Sequence, residues 1–250
     1  MIKFFRTIRY DYMKENRTGK YLKYAIGEII LVVIGILLAL QINNWNSEYK
    51  ADKNLKEIYK QIQTDLKVDI VRIEKVIVKY DEKDKINQDI LDKKIKLSFY
   101  DTITSINYKD CSICRPETTY SYNFKPIIKG YNLLKETNSL TEIKKDLLAY
   151  YINDFYSQII PRIDNQYQDI RNIIFENIKN YQKYSWFSDW YERKYNKELL
   201  IFLFESEIYR KEIGRFNIYT KHNFIETLKN YRIRATEILK LLEQEIEIEK

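Results

Sequence analysis

The sequence predicts an all-α protein, with a single N-terminal transmembrane helix followed by an elongated helical bundle of about five helices. Three observations carry this expectation. Only 5 Gly and 3 Pro occur in 250 residues, where average usage of about 7% and about 5% would supply several times as many, so sharp turns are scarce and long helices are favoured. Apolar residues after Leu55 recur at steps of three and four over most of the chain, the period of a helix with one buried face. Near the N-terminus, Ile29 to Leu40 is a run of twelve residues without a polar side chain. A composition that is 45% hydrophobic and 15% aromatic also excludes a disordered chain. The scarcity of Gly, Pro and Cys disfavours a tight-turned β-sandwich, a collagen-like repeat and a disulfide-dense scaffold.

Taken in order, residues 1–20 read as a basic amphipathic segment. Ile2, Phe5, Ile8 and Tyr12 share one helical stripe with Lys3, Arg6 and Arg9 beside it, as in a helix lying on an anionic cytoplasmic leaflet. Residues 21–42 read as the membrane helix. These 22 residues cover roughly 33 Å at about 1.5 Å each, close to a hydrocarbon thickness of about 30 Å. Tyr21 and Tyr24 at one end, and Gln41, Asn44 and Trp45 at the other, supply the interface side chains of such a span. The apolar run passes into Gln41-Ile42-Asn43 with no small-x-small cleavage pattern, so the segment is expected to stay as an anchor. Six basic residues flank it on the N-terminal side and four on the C-terminal side. That bias favours a cytoplasmic N-terminus and a periplasmic C-terminal domain on a bacterial inner membrane. Gly27, Gly35 and Ala39 fall on one face and would let two such helices approach closely. Glu28 either snorkels to the interface or marks a partner at membrane depth.

The remaining chain, residues 43–250, reads as the helical extracytoplasmic domain. Leu55, Ile58, Ile62, Leu66, Ile70, Ile73, Ile77 and Tyr80 form the stripe of one long helix leaving the membrane. The charges between them, Asp65 and Asp69 included, read as its solvated face. The pattern loosens after Asp81. Residues 98–126, with two Pro and both Cys, are the main irregular segment and leave room for a short strand or two. Ser139 and Glu142 form a capping box, and the stripe that follows runs from Ile143 to Tyr181. Pro161 predicts a kink in it, or a new helix from near Ser157. Leu199 to Ile213 reads as a helix ended by Gly214, and Ile218 to about Ile246 as the last.

At the N-terminal end the residues become specific. Phe4-Phe5-Arg6-x-Ile8-Arg9, Glu15-Asn16, Lys20-Tyr21-Leu22-x-Tyr24-Ala25-Ile26-Gly27-Glu28-Ile29 and the run from Leu31 to Asn46 resemble an uncharacterised family of bacterial membrane proteins. It is catalogued as domain of unknown function 6090 and is common among flavobacteria. Gly130, Tyr131 and Leu133, and the stretch Leu147 to Tyr151, resemble that family's later helical blocks more diffusely. The resemblance implies a single anchor and a mostly helical domain, and brings no activity, substrate or catalytic residue. It also implies that Glu28, Gln41, Asn43, Asn44 and Trp45 belong to a family pattern.

Net charge is +7, of which +4 falls within residues 1–42. The rest is nearly balanced and interspersed, so nucleic acid is not an expected partner. Cys111-Ser112-Ile113-Cys114 is the one motif able to carry chemistry. With no second Cys pair and His222 as the sole histidine, a closed zinc site lacks ligands, and a local disulfide is expected in an oxidising compartment. Trp186, Phe187, Trp190 and Tyr191 either line a surface for a ligand or partner, or cap the core. No nucleotide, zinc-protease or nucleophile-elbow motif occurs, so neither catalysis nor a cofactor is expected. The expected partners are the lipid bilayer and either a second copy of the chain or another membrane protein. The expected role is a non-enzymatic interaction or scaffold protein. The alternative is a periplasmic ligand-sensing ectodomain signalling through a membrane partner.

Overall fold

A computed structural model describes residues 18–137 and 146–247. Its order is α1 (Thr18–Leu91), α2 (Leu97–Tyr100), 3-10 turns at Tyr108–Asp110 and Glu117–Thr119, α3 (Lys129–Thr137), α4 (Leu147–Tyr181), α5 (Phe187–Tyr191), α6 (Lys197–Glu205), α7 (Glu207–Asn217), a π-helical stretch Ile218–Ile225, and α8 (Glu226–Glu247). The fold is all-α, and the described residues contain no strand. The basic stripe from Ile2 to Tyr12 and the capping box at Ser139 and Glu142 lie outside the described residues.

The chain divides into two compact units, one up to Glu57 and one from Ile58. In the first, α1 is the one described element. Among its described side chains, the large apolar ones between Leu22 and Tyr49 are exposed, Leu31 at 69% and Trp45 at 70%. The helix is long and apolar enough to cross a membrane by length and composition, and none of its most apolar window is buried. No proline occurs before Pro116, so nothing in α1 interrupts its 74 residues of backbone bonding.

In the second unit Ile58, Ile62, Leu66, Ile73 and Tyr80 of α1 are buried, as the stripe requires. Two charges read as solvated are buried with them. Asp65 and Asp69 are 3% and 0% exposed. The physical reason is an extended strap, residues 120–128, which runs antiparallel to α1 and has no neighbouring strand. Its backbone groups need partners, and α1 provides them from side chains. Asp65 Oδ2 accepts the Gly130 N–H at 2.7 Å, and Asp69 Oδ2 accepts the Ile127 N–H at 2.8 Å. The Tyr80 hydroxyl donates to the Tyr122 carbonyl and accepts the Tyr122 N–H, both at 3.2 Å. Lys83 Nζ donates to the Tyr120 carbonyl. The stripe therefore does not end at Asp81. It continues through Lys83 and Asn87, both buried, so the apolar pattern loosens where the helix face turns polar, Lys83 to hold the strap and Asn87 to donate to Asn217 Oδ1 at 3.2 Å.

Gly130 allows α3 to meet α1 closely, since a Cβ there would lie 2.6 Å from Ile62 Cγ1 and 2.7 Å from Ile62 N. The leucine that α3 buries is Leu134, whereas Leu133 is 38% exposed. α4 opens on Asp146, whose carboxylate accepts the Ala149 N–H at 3.0 Å and the Tyr59 hydroxyl. It then runs unbroken through Pro161, so no new helix begins near Ser157. Pro161 and Ser157 both face solvent, where water can take up the carbonyl that proline leaves unpaired, while Phe155, Ile159 and Ile163 are buried on the other face. α8 and the π-helical stretch pack along α4.

The helix expected from Leu199 to Ile213 is two helices. Ser206 is the N-cap of α7, its hydroxyl accepting the Ile208 N–H at 3.1 Å. Arg210 donates to the Phe204 and Glu205 carbonyls that α6 leaves free. Gly214 lies inside α7 rather than ending it, and no glycine among the described residues takes a positive φ. The chain uses lysine and arginine instead. Lys93, just past α1, has φ 56° and Arg193, just past α5, has φ 55°.

Candidate ligand-binding cleft

The irregular segment is an ordered wall. Cys111 and Cys114 are joined by a disulfide, with their Cα atoms 5.4 Å apart, and Cys114 is fully buried. The Tyr108 hydroxyl donates to the Cys114 carbonyl at 3.2 Å, closing the loop on itself. The turn that follows is held from behind. The Glu117 N–H donates to the Tyr209 hydroxyl at 2.7 Å, and Asn177 Nδ2 donates to the Thr118 carbonyl at 3.1 Å. The Tyr181 hydroxyl lies 3.2 Å from Thr118 Oγ1 and donates to Glu212 Oε2 at 2.6 Å.

Behind the turn sits a buried ion pair. Lys83 Nζ and Glu117 Oε2 are 3.7 Å apart, with side chains 3% and 2% exposed. The ammonium also lies 3.3 Å from the centroid of the Tyr120 ring, a cation–π contact, and the Tyr120 hydroxyl donates to Glu117 Oε2 at 2.5 Å. Burial pulls the Lys83 ammonium down to about 7, against the opposing pull of Glu117. Burial pushes the Glu117 carboxyl up, against its bond from Tyr120 and the fields of Lys83 and Arg115. Both shifts share one cause, the cost of a charge in a low-dielectric interior.

The opposite wall is the aromatic turn around α5. Trp186 is 2% exposed. It stacks on Tyr184 at 5.0 Å and 13° and contacts Tyr181 and Phe202. Of the two readings of the aromatic cluster, Trp186 takes the core one and the ligand or partner surface is corrected for this residue, because its indole is enclosed by three rings. Phe187 is half-buried against this core. Trp190 is half-buried, edge-on to Tyr181 at 5.7 Å, and Tyr191 is 79% exposed.

Between these walls lies a cleft of about 650 Å³. Tyr108, Lys109, Cys111, Arg115, Thr119 and Tyr120 line one side, and Trp190, Tyr191, Glu192 and Arg193 the other. The fold thus brings together two features nearly 80 residues apart in sequence, the CxxC loop and two of the four aromatic residues. Lys109, Arg115 and Arg193, which complete the lining, carry no sequence motif. The signal available was the placement of Lys109 and Arg115 around the cysteine pair and of Arg193 next to the aromatic cluster, which spacing alone does not connect.

The remaining predicted site residues are placed as follows. Gly27 and Gly35 have nothing within 4 Å of where a Cβ would be. Glu28 is half-buried on α1, and Ala39, Gln41 and Asn44 are exposed on the same helix. Tyr21 and Tyr24 belong to the α1 backbone, and their side chains lie outside the described residues. His222 is exposed on the π-helical stretch. Among the described residues, no three His, Cys, Asp or Glu side chains are grouped to hold a metal ion.

Comparison with known proteins finds a match to a family of unknown function, DUF6090, over residues 28–162, more than half of the chain. The matched span holds the apolar helix from Glu28, the Asp65 and Asp69 positions, the disulfide loop and the strap. Residues 3–27, which carry part of the resemblance, precede it. No curated protein and no solved structure matches the chain.

Proposed function

The chain belongs to the family of unknown function DUF6090, and from that membership and its fold we propose that it is a membrane-anchored protein that works by binding rather than by catalysis. The observation that carries the reading is α1. Its first part exposes apolar side chains all round, which is stable in a bilayer and costly in water, and its later part is the spine of the packed unit. The helical domain lies in the periplasm of a bacterial inner membrane. The basic bias before the span supports this orientation, and the Cys111–Cys114 disulfide supports an oxidising compartment.

A binding role is supported by how the buried acids are used. Asp65 and Asp69 hold backbone N–H groups, Glu117 holds Lys83 and Tyr120, and Glu212 holds Tyr181. Each is occupied by a structural contact. The test has two parts. Alkaline carbonate extraction should leave the chain in the membrane fraction, and a reporter active only in the periplasm should work when fused after Lys250. Release by carbonate, or activity only from a cytoplasmic reporter, would refute the anchoring or the orientation. Cross-linking in intact cells, read by mass spectrometry, then tells whether the partner is a second copy or a foreign membrane protein.

A second reading, a ligand-sensing ectodomain, is favoured by one observation. The open cleft is lined by three exposed cations, Lys109, Arg115 and Arg193, that make no ion pair among the described residues, and by the exposed ring of Tyr191.

A further inference from the structure

Three cations line the cleft, Lys109, Arg115 and Arg193, and all three are exposed. None of them makes an ion pair among the described residues. The one acid in the lining, Glu192, is already bridged to Lys194. Arg115 feels the field of Glu117, but that carboxylate is buried and bonded to Lys83 and Tyr120. With three cations against the one carboxylate of Glu192, which also has Lys194 beside it, the cleft keeps a net positive charge. Such a surface selects an anion, and Arg in particular selects a planar carboxylate or a phosphate.

The aromatic residues narrow the class further. Tyr191 is 79% exposed and Tyr120 38% exposed, with Trp190 half-buried between the core and the cleft. Rings left open to water suit a ligand with C–H faces to stack on and hydroxyls that remain solvated. A fully apolar ligand would need enclosing walls instead. The volume of about 650 Å³ is within the range of about 300–1,000 Å³ for small-molecule sites.

We propose that this cleft binds an acidic saccharide, its carboxylates held by Arg115, Arg193 and Lys109 and its ring faces by Trp190 and Tyr191. This deepens the ligand-sensing reading and rests on it. Lys93, which does not line the cleft, ends α1 in the same left-handed conformation as Arg193, so that backbone marks a helix end and not a ligand site. It does supply a clean variant. Glycine relieves a positive φ, so Arg193→Gly removes the guanidinium without threatening the fold.

The test uses the full chain in detergent, with calorimetry as the readout and the change in total tryptophan fluorescence, from Trp45, Trp186 and Trp190 together, beside it. The probes are trigalacturonate, an alginate trimer, a hyaluronan tetrasaccharide, the methyl ester of trigalacturonate, triglutamate and inorganic phosphate. At least one acidic saccharide should bind saturably. The uncharged ester should bind at least tenfold more weakly than trigalacturonate if that is the saccharide taken. Arg193→Gly should weaken binding at least fivefold with an unchanged or raised unfolding midpoint, and Tyr191→Ala at least threefold. The proposal is overturned if none of the three acidic saccharides binds, or if the ester binds as well as its parent acid. It is equally overturned if triglutamate or phosphate binds as tightly as the best saccharide, which would make this a peptide or bare anion site. Parent-like binding by both variants would place the ligand elsewhere. Tight binding of triglutamate or phosphate would sink the saccharide while keeping the ligand-sensing reading, absence of binding by every probe would count against both, and carbonate extraction and the C-terminal reporter are unaffected by any of these outcomes.

Discussion

The two parts of α1 share a backbone conformation and differ in almost everything else. Between Leu22 and Tyr49 the large apolar side chains that are described occur on every side and remain exposed. From Ile58 they occupy one stripe and are buried, and the polar residues on that stripe, Asp65, Asp69, Lys83 and Asn87, are buried with them. The contrast teaches that hydrophobicity and burial within the chain are separate quantities. In the first part the side chains are matched to a solvent outside the protein. In the second, the chain builds its own apolar interior and must then satisfy every polar group it encloses.

The sharpest way to break the comparison is to remove a buried acid. Asp69→Ala takes away the acceptor of the Ile127 N–H, the Tyr231 hydroxyl and Arg72 together. Leaving two buried donors unpaired should cost roughly 3 kcal/mol or more, measured by urea unfolding of the chain in detergent. Asn43→Ala, on the exposed part of α1, should leave the same unfolding curve in place. A curve equally unmoved by Asp69→Ala would show that the strap is not held by α1.

Next in size is a pH effect confined to the packed unit. Burial holds Lys83 at about 7 when folded, below an unfolded value of about 10.4. Between these values the unfolded chain binds more protons, so stability should rise with pH from about 7 towards 10, on the order of a few kcal/mol at most. Glu117, raised by burial, acts in the opposite sense, but in the acid range between its ordinary value and its raised one. Lys83→Met should flatten the alkaline limb. Identical pH–stability curves for parent and variant would contradict the burial of a titrating Lys83.

The glycines give a matched pair. Gly130→Ala puts a Cβ against the Ile62 backbone and should destabilise the packed unit by about 1–3 kcal/mol. Gly35→Ala meets nothing within the chain and should leave unfolding unchanged. If two copies approach through Gly27, Gly35 and Ala39, energy transfer between labelled copies in vesicles should instead fall. Unchanged transfer would mean that this face is not the contact.

The smallest effect has the opposite sign. Lys93→Gly replaces a left-handed lysine just past α1 and should stabilise by up to about 1 kcal/mol. A lower unfolding midpoint would show that the Lys93 side chain, which pairs with Glu207 at 3.3 Å, outweighs the backbone gain.

Much of this fold was legible in the sequence because helices announce themselves locally. The stripe from Ile58 to Tyr80 and the twelve-residue apolar run both follow from spacing between near neighbours. The paired acids were nearly legible too. Asp65 and Asp69 sit three residues after Ile62 and Leu66, on the buried stripe rather than opposite it, and that spacing was the signal. Ser206 as a cap was equally present in the sequence, but the apolar run from Leu199 to Phe204 before it and the apolar positions Ile208, Tyr209 and Ile213 after it concealed it. Trp186 and Trp190 could not be told apart, since four residues separate them and only the packing of Tyr184 and Phe202 makes one of them core.

The sequence by itself determined the helical class, the apolar span and the family, because composition, periodicity and a specific run of residues are properties of short stretches. Tertiary structure alone decided which charges are enclosed, which aromatic rings remain open and which cations meet them. Those outcomes depend on the strap between Tyr120 and Ile128 lying antiparallel on α1 and on the disulfide loop facing the turn at Trp190. Each joins residues tens of positions apart, and neither is encoded in the spacing of neighbours.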